Sequence, residues 1–186
     1  MIGFSERSSP AAIDHIAELV FAHAGIENVI VVVMPRENTA IHLDMMFTQV
    51  DRQLCAVYPP HLIGPERLPV LLWRKGHAQL REMPSVFAAL AECGLPMEPI
   101  VCGGTKRAMQ EREQWASGGN FLALRPGAVA SYARNEATLR EMERTGFTIV
   151  SGDALLTGQH RIADDERAVI TFQGVNWCAG VAVRAA

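Results

Sequence analysis

His42 and Asp44 stand two positions apart in "IHLDMMF", each flanked by apolar residues. On a β-strand this alternation sends both side chains out of the same face. A carboxylate beside an imidazole fixes its tautomer and supports its protonated form, as general acid and base work requires. By itself the pair also suits a His–Asp contact satisfied at a sheet surface. Arg7, in "SERSS", carries a planar guanidinium fit for bidentate contact with a ligand carboxylate, and equally fit for a solvated loop. Cys178 lies in the closing "GVNWCAGVAVRAA", where it reads either as a nucleophile or as a core residue.

The remaining motifs read as structure. Cys55, Cys93, Cys102 and Cys178 have no CxxC or other metal-ligand spacing, so neither a disulfide framework nor a zinc site is expected, and most of the thiols should be reduced and buried. "CGGTKR" has a glycine pair between a strand and a helix without either phosphate-loop spacing, and reads as a tight turn. "SGGN", ending at Asn120, reads as a turn before a strand. Trp73 and Trp115 read as packing residues.

The elements that must position these residues follow from periodicity. "SSPAAIDHIAELVFAHAG" has Ser9 as N-cap, Pro10 at the first helical position, Ile13, Ile16 and Val20 along one face, and Gly25 as terminator. "NVIVVVMP" is a continuous β-branched run, the pattern of a strand covered on both faces. Strands follow at "IHLDMMFTQV" and "QLCAVYP", joined by a "VDR" turn, and "RLPVLLW" is expected to extend the same sheet. A helix, "PSVFAALAEC", ends at Gly94 and leads to the strand "EPIVC". After a helical "TKRAMQEREQWAS" the order repeats: "NFLAL", "AVASYA", a helix "EATLREMERT" capped by Asn135 and Gly146, and "FTIV". The hydrophobic strand "RAVITF" then runs into Gly174. The grammar is strand, strand, helix, strand, twice. On it, residues 9–34 supply a helix and strand whose hairpin is missing, so the chain starts mid-module and leaves a sheet edge uncovered. An ordinary three-layer α/β domain with an N-terminal helix fits the same periodicity.

A chain of 186 residues with 49% hydrophobic content can bury a core as one domain. Its net charge of −3, without a clustered Lys/Arg stretch, argues against nucleic-acid and membrane-surface partners. No apolar run is long enough to span a bilayer, and "MIGFSERSSP" is not built as a signal peptide, which makes the cytoplasm the expected compartment.

"GFSERSS", "IHLDMMFTQVDR", "CGGTKRAMQEREQWASGGNFLAL" and "SYARN", in this order and spacing, resemble the C-terminal half of the arginine deiminase family, from Gly3 to about Gly174. The resemblance implies an α/β fold, part of a five-bladed α/β propeller (pentein) of ββαβ modules around a central site. Residues 1–186 would form a single partial catalytic domain: the end of one module over about residues 1–35, a second module over 36–105, a third over 106–174, then the tail. It implies a hydrolase acting on a linear amidine, converting L-arginine and water to L-citrulline and ammonia without metal or organic cofactor. In that chemistry a cysteine thiolate attacks the guanidinium carbon, ammonia departs, and water hydrolyses the S-alkylthiouronium intermediate. His42 matches the histidine that protonates the leaving ammonia and then activates water. Asp44 matches a carboxylate that binds the guanidinium, and Arg7 an arginine that receives the α-carboxylate.

Two departures from the family pattern shape the expectation. Further guanidinium-binding acids of the family lie upstream of the point matched by Met1. The family closes with a segment like "GAELVRGGGGPRCMT", and the codons of "GVNWCAGVAVRAA", regrouped in another frame, permit E-L-V-R-G-G-G-G-P-R-C. Residues 175–186 are therefore expected to be out-of-frame translation, with Cys178 a low-ranking nucleophile and little turnover from this chain alone. Two other readings remain open: a catalytically inactive remnant or interaction protein, with exposed sheet edges that allow a homo-oligomer, and an amidinotransferase-type or dimethylarginine hydrolase-type reaction on the same fold.

Overall fold

The structure, a computed structural model, describes residues 1–174; Cys178 and the tail at 175–186 lie outside the described residues. In chain order the elements are β1 (Ile2–Phe4), α1 (Pro10–His23), β2 (Asn28–Val33), a 3₁₀ turn (Leu43–Met45), β3 (Phe47–Gln49), β4 (Leu54–Val57), α2 (Pro59–Leu62), β5 (Val70–Arg74) and β6 (Arg81–Met83). They continue with α3 (Val86–Glu92), β7 (Glu98–Val101), α4 (Arg107–Trp115), β8 (Leu122–Arg125), β9 (Ala128–Tyr132), α5 (Glu136–Arg144), β10 (Thr148–Ser151), α6 (Gly152–Leu156) and β11 (Ala168–Phe172). Among the described residues this is a mixed α/β fold with three sheets, none of them closed. The chain divides into two compact units, one of residues 1–43 and 60–97, the other of residues 44–59 and the chain from 98 onward.

The first unit is built on the sheet β1-β2-β5-β6. β2 runs parallel to β1, with Ile2 opposite Val31, and antiparallel to β5, with Ile30 opposite Leu72. A strand thus precedes α1, and β2 has neighbours on both sides. β2 is not itself an edge, because β1 and β5 take up its N–H and C=O groups; among the described residues β1 and β6 are the outer strands of this sheet. α1 begins as its sequence predicts, with Ala12 N donating to Ser9 Oγ over 3.2 Å. Its buried face, however, is Ile13, Ala17 and Phe21, which join Val29 and Val31 in one cluster. Ile16 is 45% exposed and Val20 only partly buried. The i, i+4 row faces the sheet because Ala17, with no bulk beyond Cβ, lets the helix sit close while Ile13 and Phe21 fill the space on either side. Burying each of those two large side chains contributes about 1.5–3 kcal/mol. Phe21 meets Trp73 edge-on, with ring centroids 5.8 Å apart. α3 packs against β2, β5 and β6, and its N-terminus is capped by Ser85 Oγ, which accepts from Ala88 N over 3.1 Å. β5, expected to extend the sheet of β3 and β4, instead pairs β2 and β6.

The second unit holds two sheets. In β3-β4-β7, β4 is antiparallel to β3 and parallel to β7, and all four of its residues are buried. In β10-β11-β9-β8, the strand β11 inserts between β9 and β10, parallel to both. The core of this unit joins Val50, Leu54, Ala56, Ile100, Phe121, Val129, Leu139, Met142, Phe147 and Val169. α5 is expected to be capped by Asn135. Asn135 does occupy the N-cap position, but Nδ2 donates to Ala116 O over 3.1 Å and the residue makes no side-chain cap bond. The carboxylate of Glu113, on α4, takes that role from a distance of 24 residues: Oε1 accepts from Ala137 N over 2.9 Å, and Oε2 accepts from Thr138 N over 2.8 Å and from Thr138 Oγ1 over 2.7 Å. Glu113 is 1% exposed, and the anion is tolerated because three donors and the positive end of the helix face it.

Candidate functional site

The turn that carries Arg7 is held by its own serines. Ser8 Oγ donates to Gly3 O over 3.0 Å and accepts from Ser5 N over 2.9 Å, while Ser5 Oγ accepts from the Arg7 amide over 3.2 Å. These bonds close residues 5–8 into a fixed loop between β1 and α1, leaving the Arg7 side chain exposed. Opposite the loop, a Cβ on Gly3 would stand 3.1 Å from Leu43 Cβ, so only a residue without a side chain lets the segment before the 3₁₀ turn approach β1 this closely. The result, within the first unit, is a cleft of about 330 Å³ lined by Gly3, Ser5, Arg7, Ser8, Met34, Ile41, His42 and Leu43. Arg7 and His42 thus share one cleft. A guanidinium for a carboxylate and an imidazole for a proton are both on its wall. Its size is at the lower end of those that hold small ligands.

His42 and Asp44 do not lie on a strand, contrary to the alternation of "IHLDMMF". Residues 41 and 42 form a bend, Leu43–Met45 the 3₁₀ turn, and strand geometry starts at Phe47. Alternation fails here because the segment crosses out of the first unit instead of pairing within a sheet. Asp44 is exposed, belongs to the second unit and is not among the residues lining the Arg7–His42 cleft. Its backbone is held from within that unit by Thr48, whose Oγ1 is 3.2 Å from Asp44 O and 2.9 Å from Gly119 O.

The described cysteines are not poised for attack. Burial pushes the thiols of Cys55 and Cys102 up to about 12, and it also raises that of half-buried Cys93. The thiolate is the nucleophilic form, so all three are protonated at neutral pH. Among the described residues no three His, Cys, Asp or Glu side chains come together as a metal site, and no helix is long and apolar enough to cross a membrane.

A family model for arginine deiminase matches residues 1–158. The chain belongs to the arginine deiminase family. Membership supports, in general terms, a hydrolase of the arginine deiminase type acting on arginine. Arg7, His42 and Asp44 all fall inside the matched span, and Cys178 falls outside it. One of the stretches that carry the family resemblance, "CGGTKRAMQEREQWASGGN", is internal scaffolding in this arginine deiminase-family chain. A Cβ on Gly103, at φ +74°, would stand 2.4 Å from Gln110 Cα, so the first glycine of the pair lets α4 close onto the strand end. Gln110 Nε2 donates to Gly104 O over 2.7 Å, and Thr138 Oγ1, bound to Glu113, accepts from Gly103 N over 2.8 Å. Trp115, expected to pack, is 45% exposed. Sequence reasoning missed Ser5, Ser8, Thr48 and Glu113 as supports. The Ser-x-x-Ser spacing around Arg7 was a usable local signal, whereas nothing local announces that Thr48 reaches Gly119.

Proposed function

We propose that this chain is an arginine deiminase-type hydrolase unit that binds L-arginine and supplies the proton-handling part of its conversion to L-citrulline and ammonia. The observation that carries the reading is the cleft in which Arg7 and His42 meet inside a family-matched unit. Arg7 receives the substrate α-carboxylate through its fork of N–H donors. Asp44 offers its carboxylate to the cationic guanidinium. A cysteine thiolate adds to the guanidinium carbon, and His42 donates the proton that lets ammonia leave. His42, now neutral, takes a proton from water, and the hydroxide displaces the thiolate from the thiouronium carbon to give citrulline. The chemistry requires no cofactor. The fold would be part of a five-bladed propeller with modules over about residues 1–35, 36–105 and 106–174. The compartment would be the cytoplasm, with L-arginine as partner and self-association open through sheet edges.

A second reading, arginine binding without turnover, is favoured by the thiols: burial raises those of Cys55, Cys93 and Cys102, so none of the described cysteines is poised as the nucleophile. One assay separates the two. The purified chain is incubated with L-arginine and citrulline is measured, alongside His42→Asn. Turnover that falls about 10²–10⁴-fold in the variant supports the enzyme. Arginine binding with no citrulline supports the second reading, and absence of both removes the proposal.

A further inference from the structure

We propose that Thr48 and Gly119 are a positioning pair that sets the place of Asp44, and so governs guanidinium affinity; the inference rests on the guanidinium-binding role given to Asp44 above. Asp44 sits in a 3₁₀ turn of only three residues, too short to fix itself by its own hydrogen bonds. Two contacts from within the same unit hold it. The single hydroxyl hydrogen of Thr48 lies between two carbonyls, 3.2 Å from Asp44 O and 2.9 Å from Gly119 O. The backbone of Gly119 also comes so near the turn that an added Cβ would stand 3.1 Å from Met45 O. One contact pulls the turn and the other limits how far it can move.

Gly119 is itself anchored. Gly118 N donates to Glu113 O over 2.6 Å, and the Glu113 carboxylate is locked to the start of α5. A Cβ on Gly118 would stand 2.8 Å from Glu113 O, so this junction also admits no side chain. The hydrogen-bonded path therefore runs from α5 through Glu113, Gly118, Gly119 and Thr48 to the turn that carries Asp44. Attraction between a carboxylate and a cation falls with the inverse of their separation, and at an effective dielectric of about 20 a retreat from about 3 to about 4 Å costs roughly tenfold in affinity. A shift of a few tenths of an ångström should then be readable as a smaller loss.

The test uses Thr48→Ala, Thr48→Ser and Gly119→Ala in the full chain. Two quantities are read: the arginine dissociation constant by calorimetry, with KM and kcat separately wherever citrulline forms, and the ¹³Cγ signal of Asp44 by NMR. Thr48→Ala and Gly119→Ala should each weaken arginine binding about two- to tenfold, in Kd or KM with kcat little changed, and should move the Asp44 signal. Thr48→Ser, which keeps the hydroxyl, should leave both near the parent values. Unchanged Asp44 signals in Thr48→Ala and Gly119→Ala overturn the inference. Moved signals with unchanged arginine affinity also overturn it, because the turn then shifts without governing the ligand. If the parent chain binds no arginine, the role of Asp44 is what fails, and the Asp44 signal still decides whether the pair sets its position.

Discussion

Thiol chemistry separates the cysteines of this chain at the scale of single residues. Cys102 lies 3.5 Å from Thr138 Oγ1 in the buried network around Glu113, and burial dominates its shift. With folded values of about 12 for Cys55 and Cys102 against an ordinary 9.0, the folded state holds more protons than the unfolded state between those limits. The stability these thiols contribute is therefore fully present below pH 9 and is lost as pH rises toward 12. Urea midpoints measured from pH 8 upward should fall, and the fall should be shallower in a Cys55→Ala/Cys102→Ala double variant than in the parent. At pH 8 a thiol reagent should react with Cys55 and Cys102 only after denaturation; rapid reaction in the native chain would contradict the account. The residue types of the candidate site were legible in the sequence: Arg7 and His42 stand in motifs that resemble the family, and they do share a cleft. Their geometry was not. Period-two alternation in "IHLDMMF" reports side-chain polarity, and the same polarity suits a bend followed by a 3₁₀ turn.

Elements were easier to place than their partners. The limits of α1, α3 and α5 follow from Ser9, Gly94 and Gly146, which act over one turn of chain. What failed were long-range choices. β5 looks like a continuation of β3 and β4, yet pairs β2, because strand pairing is decided by surfaces remote in sequence. β1 and β6, each three residues long, are too short to show a period. The buried face of α1 was misread by one position because Ala17 counts little in a hydrophobicity pattern and much in a close contact. Glu113 gives the sharpest test at this scale. Its carboxylate receives three hydrogen bonds from the first turn of α5. Glu113→Ala should destabilise the chain by about 3–5 kcal/mol, since it strands buried donors and leaves a cavity. Glu113→Gln, which keeps one acceptor, should lose about 1–3 kcal/mol. A denaturant midpoint within error of the parent for Glu113→Ala would show that α5 is capped by other groups.

On the scale of the whole molecule, the chain is two compact units with family character across residues 1–158. The central claim concerns the first of them: that the Arg7–His42 cleft takes L-arginine with its carboxylate on Arg7. The most direct measurement is an NMR titration with L-arginine and, separately, with agmatine, which has the guanidinium but no carboxylate, following the Arg7 Nε and His42 ring signals. The account predicts that arginine shifts both signals, that agmatine shifts His42 and not Arg7, and that Arg7→Ala weakens arginine about 10- to 100-fold while agmatine affinity stays within about twofold. Saturating arginine that leaves both signals in place would contradict it.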